Sequence, residues 1–422
     1  MTPGNKPPDR AGVPTAEREI MRTPTDSHAR LFLRFLRFGA LAWGGPVAQI
    51  DMIRHELVQE EKWTSPDHFR RLLAIYQVLP GPEAHELCVH FGMIARGRWG
   101  GVLAGLGFML PGFALMFLLS WLYVTVGPTN AAFQAVLLGM QPAVVALIAR
   151  ACHRIAGHSL TDRPLWIIGG VAAAGEITGV SFWLTLPLAG LAYAAAARQR
   201  WVWSTIIGLV FATAVWQTHP IAAGRYAQTT ETTTASAAAG PRAGEVPPGA
   251  LFASGLQAGL LTFGGAYTAI PFLKNDVVDR GRWMTENDFL DGVALSGVLP
   301  APLIIFSTFV GYFGGGPVGA LAITLGIFLP AFGFSLLFFR QLEAVMSHPL
   351  LRHFLEGVTA AVVGLIAVTA AGLALSILRT PAAGAIFASA LAVVILWKSR
   401  WAVPTVVGAA GLTGWLIAQS SV

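Results

Sequence analysis

The stretch that decides the fold is Phe38–Pro82, FGALAWGGPVAQIDMIRHELVQEEKWTSPDHFRRLLAIYQVLPGP, because the chain contains it twice. Residues 258–302, AGLLTFGGAYTAIPFLKNDVVDRGRWMTENDFLDGVALSGVLPAP, align with it at an offset of 220 without a gap. Gly39, Leu41, Gly44, Gly45, Ile50, Val58, Trp63, Phe69, Ala74, Val78, Leu79, Pro80 and Pro82 recur identically, 13 of 45 positions. Chance does not put Gly-Gly, Trp, Phe and Pro-x-Pro in register over that length. Arg54/Lys274, Glu56/Asp276, Lys62/Arg282 and Trp43/Phe263 differ but keep their chemistry. The match runs on through Pro111/Pro330 at offset 219 and Val144-Val145/Val362-Val363 at offset 218. The chain is therefore two homologous halves.

The solvent of these halves is lipid. Of 422 residues, 54% are hydrophobic and 12% charged, where soluble domains carry about 25% charged residues. Apolar runs recur that approach the roughly 20 residues a membrane-spanning helix needs. The net charge is +6, but the cations sit between apolar runs. They set orientation in a membrane and do not mark a nucleic-acid surface. Cys88 and Cys152 lie in apolar segments and make no disulfide framework. Residues 1–30 are polar, basic and rich in Pro and Thr, without the apolar core of a secretory signal. They are expected to be a disordered cytoplasmic tail.

Spans are expected near 31–52, 70–95, 100–124, 131–153, 164–179, 182–197 and 201–217, forming a first repeat over 31–217. After a Thr/Ala/Pro-rich linker at 218–249, spans near 250–273, 289–313, 317–339, 352–378, 381–397 and 402–418 form a second repeat over 250–418. An odd number of spans in the first half inverts the second. The expected fold is an all-α polytopic membrane protein of two inverted-topology repeats with broken helices and about 13 transmembrane segments, N-terminus in and C-terminus out. The expected inner loops carry Arg96, Arg98, Arg154, Arg163, Arg198, Arg200, Lys274, Arg280, Arg282, Arg340, Arg352, Lys398 and Arg400, and the short outer loops at 124–130, 179–182 and 313–317 carry no Lys or Arg. Positive residues belong inside. The charged loop 53–69, expected outside, is the exception. Inverted repeats are common in secondary transporters, with substrate bound near the midplane.

Three features recur in both halves and carry the chemistry. The first is the Gly-Gly step, Gly44-Gly45-Pro46 and Gly264-Gly265. Glycine lets a helix unwind, a following Pro suits the first turn of a new helix, and a helix N-terminus offers free N–H groups and partial positive charge to an anion. Close helix packing explains a single Gly-Gly as well. The second is Pro80-Gly81-Pro82 and Pro300-Ala301-Pro302, which should split a span into half-helices. Irregular backbone at membrane depth is tolerated only against protein or a watery cavity. The third is a charged connector, in which Arg54 and Lys274 are equivalent and one faces each side of the membrane, where a cation attracts an anion. Beside the first Pro-x-Pro stand Glu83, His85, Glu86 and His90. Ionisable residues in a membrane segment are costly and functional suspects, so Glu83, His85 and Glu86 are candidates for ion coupling. His85 and His90 are five apart and do not share a helical face, which argues against a zinc-protease reading. Glu176 and Glu356 also lie in apolar spans.

The string Phe38-Gly39, Gly44-Gly45-Pro46, Trp63, Phe69 and Leu79-Pro80-Gly81-Pro82-Glu83-Ala84-His85-Glu86-Leu87 resembles the chromate ion transporter family. Phe263-Gly264-Gly265, Trp283 and Leu299-Pro300-Ala301-Pro302 resemble its second half. The resemblance covers about residues 31–418. It implies the long two-domain form, with oppositely oriented halves produced by duplication. It also implies export of chromate across the bacterial inner membrane, driven by membrane potential or ion gradients and giving chromate resistance. Sulfate is the chemical mimic. Ala301 departs from the family pattern, where glycine is expected.

The resulting expectation is a secondary transporter, not an enzyme, without cofactor or metal. It binds a small inorganic oxyanion at Gly44, Gly45, Pro46, Arg54, Pro80, Gly81, Pro82, Glu83, His85, Gly264, Gly265, Lys274, Pro300, Ala301 and Pro302. Its surroundings are membrane lipid. Nucleic acid is not a partner, and a homodimer is compatible with the sequence. The alternatives are a sulfate or other oxyanion transporter working inward and, remotely, an intramembrane metal-dependent enzyme using Glu83, His85, Glu86 and His90.

Overall fold

The structure, a computed structural model, describes residues 26–198, 206–208, 211, 213, 245–339, 341 and 348–420. Most of the expected tail, most of the linker and most of the span at 201–217 lie outside those residues. In the first half the helices are α1 (His28–Ala40), α2 (Gly45–Ile53), α3 (Pro66–Tyr76), α4 (Glu83–Val126), α5 (Ala131–Ser159), α6 (Arg163–Thr178) and α7 (Phe182–Ala197). In the second they are α8 (Pro248–Leu260), α9 (Ala269–Lys274), α10 (Glu286–Gly297), α11 (Phe306–Leu337), α12 (Pro349–Ile377), α13 (Pro381–Leu396) and α14 (Ala402–Ser420). No strand occurs among the described residues.

The duplication reaches fine backbone detail. π-helical turns, Arg54–Glu60 and Asn275–Arg280, extend α2 and α9. Lys62 and Arg282 both take positive φ, 55° and 52°. Ser65 and Thr285 cap α3 and α10, each side chain accepting from the N–H three residues on, as an N-cap does. α4 is broken at Arg96 (φ −144°, ψ 28°) and Gly97 (φ 60°, ψ −153°). α11 is broken at Gly315 (φ −144°, ψ 21°) and Gly316 (φ 62°, ψ −154°).

The helix breaks fall where the Gly-Gly and Pro-x-Pro steps put them, but they reverse the chain where a kinked crossing was expected. α1 is roughly 20 Å long at 1.5 Å per residue, short of the ~30 Å hydrocarbon layer. After Gly44-Gly45 the chain returns to the end it came from. Arg34 pairs with Asp26 (2.9 Å) and Glu56 (3.0 Å), and both Arg34 and Arg37 reach the connector after α2 through Glu61 and Glu56. The next pair also doubles back. Trp63 and Phe69, before and at the start of α3, pack on Phe91 near the break in α4, the first edge-on and the second stacked, and Arg96 donates to the carbonyl of Asp26. Segments 31–52 and 70–95 are therefore re-entrant hairpins entering from one face.

Segments 250–273 and 289–313 form the matching hairpins from the opposite face. The connector after α9 lies beside the α6–α7 turn, where the Arg280 guanidinium sits 5.6 Å from the Phe182 ring. This corrects two loop placements. Loop 53–69 lies at the same end as Arg34 and Arg96, which removes the charge exception. Lys274, Arg280 and Arg282 lie at the other end. The end holding Arg30, Arg34, Arg37, Arg70, Arg71 and Arg96 is the strongly cationic, cytoplasmic one. A return is invisible to hydropathy because a hairpin of half-helices is as apolar as a crossing.

Among the described residues, five helices are long and apolar enough to cross a membrane: Glu83–Val126, Ala131–Ser159, Leu303–Leu337, Pro349–Ile377 and Ala402–Ser420. Phe182–Ala197 and Pro381–Leu396 are shorter apolar helices. The hairpins are held against the long helices by glycine. A Cβ on Gly39 would strike the carbonyl of Phe108, and its counterpart on Gly259 would strike that of Ile327. Such close approach is how small residues bind membrane helices together. Gly39→Leu is expected to force α1 off α4 and to lower the thermal midpoint of the detergent-solubilised protein by several degrees, overpacking costing roughly 1–3 kcal/mol. An unchanged midpoint would contradict this packing.

Candidate functional site

The hairpin tips from opposite faces meet inside the bundle. The Gly81 N–H donates to the Thr262 carbonyl at 2.8 Å, and Pro80 pairs with Phe263. A Cβ on Gly265 would lie 3.4 Å from the Glu83 carboxylate, and one on Gly264 would lie 3.4 Å from Ile155 and Thr359. Gly44 (φ 91°) and Gly45 (φ 79°) turn the chain into α2, whose first turn holds Pro46. A non-glycine residue pays for that left-handed backbone, so the helix start depends on glycine here.

Next to these tips is a cavity of about 410 Å³, lined by Pro46, Ile50, Gln77, Val78, Glu83, Arg154, His158, Gly264, Arg352, Glu356 and Thr359 among others. A smaller space of about 40 Å³ is lined by Gly44, Gly45, Pro46, Arg150, Arg154 and Tyr267 among others. Pro46 and Arg154 line both, so the cavity ends in a recess between the start of α2 and α5. Arg150 and Arg154 are one turn apart on α5 and half-buried. Arg352 pairs with Glu356 at 2.9 Å. Among the described residues no carboxylate lies within ion-pair distance of Arg150 or Arg154. Two unpaired guanidiniums beside the first turn of α2 suit a doubly charged oxyanion. Arg presents a planar fork of donors matched to such groups, and the N-terminal N–H groups add to it.

Of the residues expected to bind, Gly44, Gly45, Pro46, Glu83 and Gly264 line these spaces. Pro80, Gly81, Pro82 and Gly265 form the tip contacts around them. Pro300, Ala301 and Pro302 are buried, with Ala301 against Gly112, and do not line the cavity. His85 is enclosed by Phe328 and Phe332 at ring distances of 4.9 and 4.7 Å. Glu86 is fully buried beside Gly81, and neither of its oxygens has a hydrogen-bond partner among the described residues. His90 accepts or donates at Nδ1 with Tyr76 Oη, 2.8 Å away.

The structure does not bring Arg54 or Lys274 to the cavity. Arg54 is half-exposed and pairs with Asp51 at 2.7 Å. Lys274, at the opposite end, bridges Asp279 (3.0 Å) and Glu286 (3.2 Å). Arg54→Gln is expected to change the KM for substrate less than about threefold, since an exposed pair is worth about 0–1 kcal/mol; vesicle uptake measures it. Sequence reasoning did not single out Arg150 or Arg154 and treated Arg154 as an orienting loop charge. Arg150 lay inside the expected span 131–153, where an ionisable residue is itself a signal.

Inverted halves, re-entrant hairpins meeting tip to tip and a cationic cavity beside them define a polytopic membrane transporter. The chain belongs to the chromate transporter family: the family model named for chromate transporters matches residues 29–224 and 249–415. It is 54% identical over 403 residues to the chromate transport protein of Pseudomonas aeruginosa, covering 93% of each chain. It is 30% identical over 415 residues to the chromate transport protein of Cupriavidus metallidurans, covering 97% of each. An uncharacterized transporter of Methanocaldococcus jannaschii is 24% identical over 382 residues, 83% of this chain and 86% of that one. No solved structure matches. The substrate is an oxyanion, and the protein is a multi-pass membrane protein.

Proposed function

We propose that this protein exports chromate from the bacterial cytoplasm across the inner membrane and so confers resistance, with sulfate competing as a mimic of the same charge and shape. The observation that carries this reading is the pair of unpaired arginines, Arg150 and Arg154, in a cavity at the cytoplasmic end. The dianion enters from the cytoplasm, rests between these guanidiniums and the Gly44-Gly45 turn, and leaves after the two halves exchange conformations. Moving a dianion outward, with the inside negative, is favourable by about 4.6 kcal/mol per 100 mV, from about 2.3 per charge. Glu83 lines the cavity within electrostatic reach of Arg154, so it is the acid that meets the substrate. His85 and Glu86 stand behind it.

The test is chromate accumulation in a chromate-sensitive bacterium, paired with uptake into everted vesicles. Expression should lower accumulation, and vesicles should take up chromate that excess sulfate displaces. Unchanged accumulation, with the protein demonstrated in the membrane, would sink the proposal. Sulfate uptake without chromate uptake would favour the sulfate reading.

A further inference from the structure

The cytoplasmic cavity has a counterpart at the other face. A space of about 480 Å³ is lined by Tyr123, Gln134, Leu138, Gln141, Asp288 and Asp291 among others. At the repeat offset of 218, Gln134, Leu138 and Gln141 become Arg352, Glu356 and Thr359, which line the cytoplasmic cavity. Asp288 and Asp291 lie on α10, the counterpart of α3, whose Ala74 and Ile75 line that same cavity. The two spaces are thus one vestibule built twice, once at each end of the inverted pair.

They differ in depth. The cytoplasmic vestibule reaches the hairpin tips at Pro46, Glu83 and Gly264. The outer one stops at Asp291. What stops it is a set of hydrogen bonds across its floor. Gln141 Nε2 donates to Asp291 Oδ1 at 2.9 Å, tying α5 to α10. Tyr123 Oη lies 2.6 Å from Asp288 Oδ1 and 3.0 Å from Asp291 Oδ2, tying α4 to α10. At the cytoplasmic vestibule the Gln141–Asp291 tie is not repeated among the described residues. There Thr359, in the place of Gln141, donates back to the carbonyl of Leu355 on its own helix.

We propose that Gln141, Tyr123, Asp288 and Asp291 form the latch of the outer gate. The structure then holds the transporter open to the cytoplasm and shut to the outside, and the transport cycle must break these bonds to release substrate. The proposal rests on transport by alternating access but not on which oxyanion moves. A ligand can open the latch only by as much as it binds the outward-open state more tightly than this one.

Thiol labelling tests it without any substrate. In a background with Cys88 and Cys152 replaced, Val298→Cys lies just behind the latch, and Val78→Cys is its counterpart in the open vestibule. Adding Gln141→Leu with Tyr123→Phe should speed labelling of position 298 by an impermeant maleimide from outside at least fivefold. The same change should slow labelling of position 78 from the cytoplasmic face. Unaltered labelling at both positions, in protein that still elutes as a folded species, overturns the proposal. A second variant guards against misfolding: Gln141→Cys with Asp291→Cys, joined by a short bifunctional thiol reagent with a cleavable link, should stop transport until the link is cut. Undiminished transport with the link in place also overturns it.

Discussion

Arg150→Gln combined with Arg154→Gln is expected to abolish oxyanion transport while the protein still accumulates in the membrane. A hydrogen bond to a charged group is worth about 1.5–3 kcal/mol, and 1.36 kcal/mol is a factor of ten. Each single substitution should therefore lower kcat/KM for vesicle uptake by roughly 10- to 100-fold, and the double substitution should lower it further. Neither arginine is in an ion pair among the described residues, so no salt bridge is broken and folding should be spared. Arg154→Lys keeps the charge but loses the fork, and should recover part of the loss. Wild-type uptake by the double variant would remove the recess from the substrate path.

Gly264→Leu is expected to block transport in folded protein, and Gly44→Leu is expected to lose the folded protein. The two positions are equivalent in sequence but not in surroundings. At Gly264 a side chain would point between Ile155 and Thr359, into the cytoplasmic vestibule. The positive φ of 78° adds about 1–2 kcal/mol of strain, which a folded membrane protein can bear. At Gly44 a Cβ would press on the backbone of Arg400, and the turn between α13 and α14 cannot yield as a side chain does. Uptake together with size-exclusion profiles separates the outcomes. Normal uptake by Gly264→Leu would mean that the vestibule is not the route.

The halves and the sites of their breaks were legible in the sequence because glycine and proline act locally. Gly44-Gly45 and Pro80-Gly81-Pro82 interrupt a helix whatever surrounds them. Whether the chain then crosses or returns is a tertiary matter. It is decided by Gly39 seating α1 on α4 and by Glu56 meeting Arg34 and Arg37, contacts no local pattern encodes. The same limit hid the arginine-lined recess. Arg150 and Arg154 look like ordinary boundary charges until the folded chain brings the Gly44 turn beside them. Arg54 shows the reverse error. Its position in the repeat suggested a mouth, yet Asp51, three residues earlier, satisfies it. Ala301 stands where the resemblance leads one to expect glycine, and that tip packs on Gly112 away from the cavity.

The twin joints at Arg96–Gly97 and Gly315–Gly316 have matching dihedral angles to within a few degrees. Two states that trade the roles of the halves are then nearly isoenergetic in their backbone, as mirror-image settings of one mechanism would be. Whatever preference the resting protein has for one face is written in the handful of side chains that differ between the copies. A preference of that kind amounts to a few kcal/mol, so single substitutions can invert the resting orientation without disturbing the fold. Which face stands open at rest, in this architecture, is a property that point mutation can tune.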